Sequence, residues 1–257
     1  YGRPAMRPFV EIVITELREE IIHDAISFPP IWYREKVDGS SGKVRRIGIQ
    51  NIKQQLYDYI AVEGLKTVLR RIGEYQYASI ENRGTTKGKE VISSWIRNRD
   101  MRYFVKLDDR DRLMEFLRQH VKNDRLLRLV ELLISSFERG LSIGSYLSQY
   151  LCNLYMSILY HEIKERMYRM RKGKHGEKRV NLVRRCLIYM DDILLIGSRK
   201  RDLEKAAKLV VEKAAGMGLE SKANYQVRQP SGNNIELLGY KIYRTHTEIR
   251  GRTFLRV

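Results

Sequence analysis

The chain has 257 residues, enough for one large domain or two smaller ones with a real core, and its 43% hydrophobic content is that of a globular protein. Lys and Arg number 49 against 31 Asp and Glu, a net charge of +18 that calls for a polyanionic partner, either nucleic acid or an anionic membrane. No apolar run approaches the ~20 residues of a membrane span and no signal peptide is visible, so nucleic acid leads and a cytoplasmic protein with no membrane partner is expected.

Residues 5–26 carry Phe9, Ile12, Val13, Leu17, Ile21 and Ala25 on one helical face. Phe28 to Gln50, "FPPIWYREKVDGSSGKVRRIGIQ", reads as a hairpin with aromatic and β-branched arms around an Asp38-Gly39-Ser40-Ser41-Gly42 turn. Its arms hold Arg34, Lys36, Lys43, Arg45 and Arg46, which suits a phosphate-binding flap, although a solvated edge would look similar. A helix is expected over 51–71 with Leu56, Ile60, Leu65 and Leu69 facing inward. Ser79 to Ile96, "SIENRGTTKGKEVISSWI", is a basic loop leading into a helix; its amides with Arg83, Lys87 and Lys89 could track a nucleic-acid backbone.

"YFVKLD", Tyr103 to Asp108, is a strand ending in a carboxylate. Helices follow at "DRDRLMEFLRQHV" and at Leu126–Phe137, interrupted at Asn123-Asp124. "GLSIGSYLSQYLCNLYMSILYHEI", from Gly140, is a Gly-rich turn and a long helix burying Leu147, Leu151, Leu154, Ile158 and Leu159. "MRKGKHGEKR", Met170 to Arg179, reads as a charged loop, and a helix spans Asp202 to Ala215. Strands "YQVRQ", "IELLGYKIYR" and "TEIRGRTFLRV" close the chain. Cys152 and Cys186 lie in apolar patterns without metal-ligand spacing and read as reduced core residues. The order is α+β, with helices covering one antiparallel sheet.

"CLIYMDDILLIG", Cys186 to Gly197, sets two aspartates between apolar strands. Burying paired carboxylates is costly unless something positive neutralises them. In a hairpin, adjacent side chains point to opposite faces, so Asp191 and Asp192 cannot serve one role equally. Asp108 ends a second strand, and carboxylates on adjacent strands form a hard oxygen site for Mg²⁺. Two such ions suit an in-line displacement at phosphorus.

"YMDD", Tyr189 to Asp192, within apolar strands resembles the active-site motif of reverse transcriptases. Around it, "KVRRIGIQ" is similar to that family's fingers motif, "RGTTKG" to its template-contacting loop, and "GLSIGSYLSQ" to its Gly-x-x-x-Ser turn and helix. "LESKANYQV" resembles the Lys-bearing segment after the active-site hairpin, and "ELLGYKI" the primer-grip strand. The resemblance implies a right-hand polymerase: fingers at 1–102 and palm at 103–257, with fingers elements interleaved around 110–145. A thumb is not evident within the sequence. Asp108 and Asp191 would hold two Mg²⁺ ions (Mn²⁺ as a substitute), with Asp192 assisting. Arg45 with Lys43 would meet the incoming dNTP, and Lys222 would lie near the reacting phosphates. Ile143, Gly144, Ser148 and Gln149 would line the nucleotide pocket. Leu238, Gly239 and Tyr240 would hold the primer end, with Arg83, Lys87 and Lys89 on the template. The implied partners are an RNA template, a DNA or RNA primer and dNTPs, with room for an accessory protein or homo-oligomer.

The Ile143-Gly-x-x-x-Ser-Gln149 form is similar to bacterial enzymes of diversity-generating retroelements; antiviral-defence reverse transcriptases and group II intron maturases stay close. Ile143 offers no amide near the nucleotide, which is expected to loosen base discrimination. Asp108 runs directly into "DRDRLMEF", about eight residues short of the connection such turns take, and we expect omitted residues there. A natural N-terminus upstream of Tyr1 and a thumb after Val257 are expected likewise. Two other readings stand beside an RNA-directed DNA polymerase: a non-catalytic nucleic-acid-binding module and an RNA-templated RNA polymerase.

Overall fold

The structure is a computed structural model and describes residues 7–37, 42, 44–108, 121–138, 141–142, 144–173, 176–217 and 225–251. Its elements begin with α1 (Arg7–Ile22), β1 (Trp32–Val37), β2 (Val44–Ile49), α2 (Ile52–Gly64), α3 (Lys66–Leu69), α4 (Thr85–Arg97) and β3 (Tyr103–Asp108). There follow α5 (Asp124–Ser135), α6 (Tyr146–His161), a π-turn at Glu162–Arg166, β4 (Tyr168–Gly173) and β5 (Gly176–Asn181). The last are β6 (Arg185–Tyr189), β7 (Asp192–Gly197), α7 (Lys200–Gly216), β8 (Ile235–Leu237), β9 (Tyr240–Ile242) and β10 (Thr247–Ile249). Two units divide them: Tyr1–Asp38, Gly42–Leu69 and Met114–Gln149 form the first, and Gly39–Ser41, Arg70–Leu113 and Tyr150–Val257 the second. Helix α4 packs into the core of the second unit.

In the first unit β1 and β2 pair antiparallel from Trp32↔Ile49 to Val37↔Val44, the hairpin expected. Asn51 caps α2 by accepting from the Gln54 amide at 2.9 Å, filling one of the orphan donors of the first turn. Lys53 ties α2 to α1 through Glu16 and Glu20, and the Tyr57 hydroxyl also donates to Glu20. The inward face of α2 is Gln54, Tyr57, Asp58 and Ala61, and of the four residues expected inward only Leu65 is buried. Likewise only Leu17 of the apolar face expected on α1 is buried. Apolar spacing marked both helices; the polar groups that join them set which side of α2 turns in. Asn123 caps α5, which buries Leu129, Val130, Leu133 and Ile134.

The second unit is built on a three-stranded antiparallel sheet ordered β3-β7-β6. Leu187, Leu194, Ile196 and Phe104 face one side, where α4 (Ile92, Trp95, Ile96) and the β8–β10 sheet (Ile235, Leu237, Ile242) cover them. The other side is closed by α7, whose Leu203 lies under Gly197. Both faces are therefore covered, not one as the sequence reading had it. The small β10-β9-β8 sheet does on one side what a helix does on the other. Residues 75–77 extend the sheet beyond β6, with Tyr77 donating to Ile188 and Ile188 to Tyr75. Two expected features take a different form. "MRKGKHGEKR" is not a loop: β4 and β5 pair from Tyr168↔Asn181 to Gly173↔Gly176. "ELLGYKI" is not one strand: it is a hairpin turning at Leu238-Gly239, with φ of 58° and 85°. Two successive left-handed residues are what a tight primed turn requires. Cys152 and Cys186 are both free thiols, as read, and Cys186 is fully buried.

Gly73 shows how tightly this core is fitted, since a Cβ there would sit 2.2 Å from the ring of Tyr160, which is itself buried. Gly73→Ala is expected to cost about 1–3 kcal/mol by overpacking, read as a Tm lower by several degrees in thermal melts.

Candidate active site

Tyr189 pairs with Asp192, so the turn between β6 and β7 is Met190-Asp191, one residue earlier than an Asp-Asp tip. Met190 has φ 52°, a left-handed conformation that costs a residue with a Cβ about 1 kcal/mol. The tip is thus held in one shape at some cost. The β3–β7 register sets Asp108 directly opposite Asp192 at the end of the sheet. Lys106, also on β3, places its Nζ 2.7 Å from Asp192 Oδ1. Asp191 is exposed and Asp192 half-buried. Tyr189 is half-buried too, and burial, with the Asp192 charge adding, pushes its phenol pKa up.

This end of the sheet already accepts a cation, the Lys106 ammonium, on an oxygen of Asp192. The donors nearby are hard carboxylate oxygens, the chemistry Mg²⁺ prefers, so the residues present fit that metal. Among the described residues no cluster of three His, Cys, Asp or Glu side chains gathers; the described part of the site contributes Asp191 and Asp192.

A second group assembles on the face of the sheet covered by α4. Leu238 packs so closely on α4 that a Cβ on Gly88 would lie 2.6 Å from its Cδ1. Lys89 Nζ sits 5.3 Å from the centre of the Tyr240 ring, a cation–π contact. The loop and the turn expected to hold template and primer therefore meet. Lys87 forms an exposed pair with Glu90. Arg83 is committed inward, donating to the carbonyls of Gly73 and Gln76 at 2.7 Å each. Those bonds brace the 73–77 segment that flanks β6.

Arg45, Gly144, Ser148 and Gln149 belong to the first unit. Lys43, Ile143 and Lys222 lie outside the described residues. Arg45 is exposed on β2 opposite Lys36, while its neighbour Arg46 turns to Glu138 at 2.6 Å and to the Tyr33 ring. Gly144 is required by a close approach: a Cβ there would stand 2.7 Å from the Gly48 carbonyl oxygen. Ser148 closes the same turn, its Oγ accepting from the Ser142 amide and its own amide donating to Ser145 Oγ.

What holds that turn is Asp58, a residue the sequence reading passed over. Its Oδ2 accepts from Ser145 Oγ at 2.7 Å, from the Leu147 amide at 3.2 Å and from Gln50 Nε2 at 3.2 Å. The side chain is fully buried, and its Oδ1 has no hydrogen-bond partner among the described residues. Burial pushes its pKa up, against the pull of hydrogen bonds from Ser145, Leu147, Gln50 and the Tyr146 backbone. The available signal was a carboxylate on the helix side opposite the exposed Ile60. Reading it needed the position of the turn more than 80 residues on.

A family model described as reverse transcriptase (RNA-dependent DNA polymerase) matches residues 35–242. Among solved structures the chain is similar to apo telomerase from Candida tropicalis, at 11% identity and a TM-score of 0.54, over 92% of this chain and 53% of that one. It is similar also to the same telomerase truncated from its C-terminal domain, at 13% identity and a TM-score of 0.56, over 91% and 59%. The chain thus spans just over half the length of these structures, and at such identities the likeness is one of fold. No curated protein matches it in sequence.

Two outcomes follow for the turn at Gly144. Gly144→Ala, colliding with backbone, is expected to cost about 1–3 kcal/mol, measured by denaturant unfolding. A carboxyl with a raised folded pKa takes up a proton on folding. The stability Asp58 contributes is therefore complete below its ordinary value of 3.8 and declines as pH rises through the raised one. Asp58→Asn should flatten that decline in melts run from pH 3 upward; a variant curve parallel to wild type would remove Asp58 as its source.

Proposed function

The chain belongs to the reverse transcriptase family, and from that premise we propose that it performs RNA-templated DNA synthesis by metal-assisted nucleotidyl transfer. The observation that carries this is the cation-holding carboxylate Asp192, opposite Asp108 in register, at the end of an apolar sheet. Asp108, Asp191 and Asp192 would hold the divalent metal, two Mg²⁺ or Mn²⁺ in its place. When bound, such ions favour ionisation of the primer 3′-hydroxyl and neutralise the phosphates of the incoming dNTP. Lys106 shares charge with Asp192 and so limits the repulsion between neighbouring carboxylates. Phosphoryl transfer asks mainly for positioning and charge neutralisation, which gives the remaining residues their roles.

Lys89 on Tyr240, with Leu238 and Gly239 beside it and Lys87 on the same helix, would grip the template and primer strands. Arg83 would act there by holding the segment beneath them. Arg45 with Lys43 would take the triphosphate, and Ile143, Gly144, Ser148 and Gln149 the nucleotide, with Lys222 near the reacting phosphates. The first unit corresponds on this reading to fingers and the second to palm. The net charge of +18 supports a polyanionic template. For biological setting, the Ile-Gly-x-x-x-Ser-Gln turn favours a bacterial retroelement of the diversity-generating kind. An antiviral-defence enzyme or an intron maturase is the alternative.

The test is primer extension on an RNA template with dNTPs and Mg²⁺. Wild type should extend, and Asp191→Ala and Asp192→Ala should each lose about 100-fold or more in rate. Extension by ribonucleotides alone would make it an RNA polymerase. RNA binding with no extension under any metal would leave a binding module.

A further inference from the structure

The β4–β5 hairpin takes no part in the site described above. Among the described residues its two strands pair only with each other, and they are exposed nearly throughout. Its described residues include Arg169, Arg171, Lys172, Lys178 and Arg179 against one acid, Glu177. The register sets Arg171 directly across from Lys178. Residues directly opposite in an antiparallel pair project from the same face, and like charges there repel. Neither side chain has an ion-pair or hydrogen-bond partner among the described residues. Arg169, two residues before Arg171, lies on that face as well.

The root of the hairpin, by contrast, is fixed. Arg169 Nε pairs with Asp202 on α7 at 3.2 Å, the Arg179 guanidinium stacks 3.8 Å from the Tyr168 ring centre, and the Leu182 amide donates to the Met167 carbonyl. A stiff base thus carries two cations that oppose each other and have no acidic partner among the described residues. The ribbon joins the sheet through Arg185, the end of β6 away from Tyr189 and Asp192. Four residue steps, roughly 13 Å along the strand, separate the two ends.

We propose that this ribbon is a second nucleic-acid contact, which binds the phosphate backbone of the RNA outside the catalytic end. The inference rests on the reading of the chain as an RNA-templated polymerase. An RNA phosphate lying between Arg171 and Lys178 relieves the repulsion that the fold leaves in place, and backbone contacts of this kind need no base sequence. A lipid surface fits less well, since the face shared by Arg171 and Lys178 carries a single large apolar side chain, Val180.

Arg171→Glu separates binding from folding, because it turns the opposed like charges into an attractive pair. The variant should melt at or slightly above the wild-type temperature. It should bind a labelled mixed-sequence RNA about tenfold more weakly at low salt, with a log Kd against log [KCl] slope shallower by about one to two. Extension of a short template-primer should keep its wild-type kcat. Wild-type RNA affinity and salt slope in the variant would overturn the proposal. So would loss of binding to phosphatidylserine vesicles with RNA binding intact. If wild type extends no primer while Arg171→Glu still weakens RNA binding, the polymerase reading fails and the ribbon's role stands.

Discussion

Strand β7 is apolar on both faces from Ile193 to Ile196, so hydrophobic alternation alone would let it slide one residue against β3 and β6. Its ends forbid this. A slip in one direction drives Asp192 into the buried position of Ile193, where an unpaired carboxylate costs several kcal/mol. A slip in the other moves a side chain into the place of Gly197, where a Cβ already meets Leu203 at 3.1 Å. The charge on Asp192 thus also fixes the register that sets it opposite Asp108. The Met190 turn, two residues long and left-handed at its first position, is drawn along by the same constraint.

A similar economy holds in the first unit, where a single buried carboxylate organises a turn. Asp58 collects a hydroxyl and a backbone amide from the distant Ser145–Leu147 turn and a side-chain amide from Gln50, just ahead of its own helix. An apolar residue there would leave those donors orphaned, at about 1–3 kcal/mol each. The cost of burying Asp58 is offset by the definition it gives to the turn carrying Gly144 and Ser148.

Much of this was legible in the chain. The β1–β2 hairpin, β3, the Asn123 break before α5, the long α6 and the apolar strands around Met190 follow from spacing and turn chemistry, which are local. Asp191, Asp192 and Asp108 stood out because carboxylates ending apolar strands need a reason. Other features depend on what lies far away in sequence. The inward face of α2 is set by contacts with α1 and with the turn at Ser145, so Leu56 and Ile60 misled. The ribbon from Tyr168 to Asn181 shows no hydrophobic alternation, having no buried face, and charge alone looked like loop. Arg83 looked like a free cation because nothing nearby announces the carbonyls of Gly73 and Gln76.

That ribbon also bears on how such a chain can vary. Lengthening β6 or β7 would displace Asp192 or Gly197, so their span is frozen by the core. The β4–β5 ribbon pairs only with itself, and it can gain or lose residues two at a time without moving a buried atom. Its reach is therefore adjustable while the Asp192 end of the sheet stays still. In a chain built on a common polymerase core, such an appendage is where divergence can proceed without disturbing the chemistry.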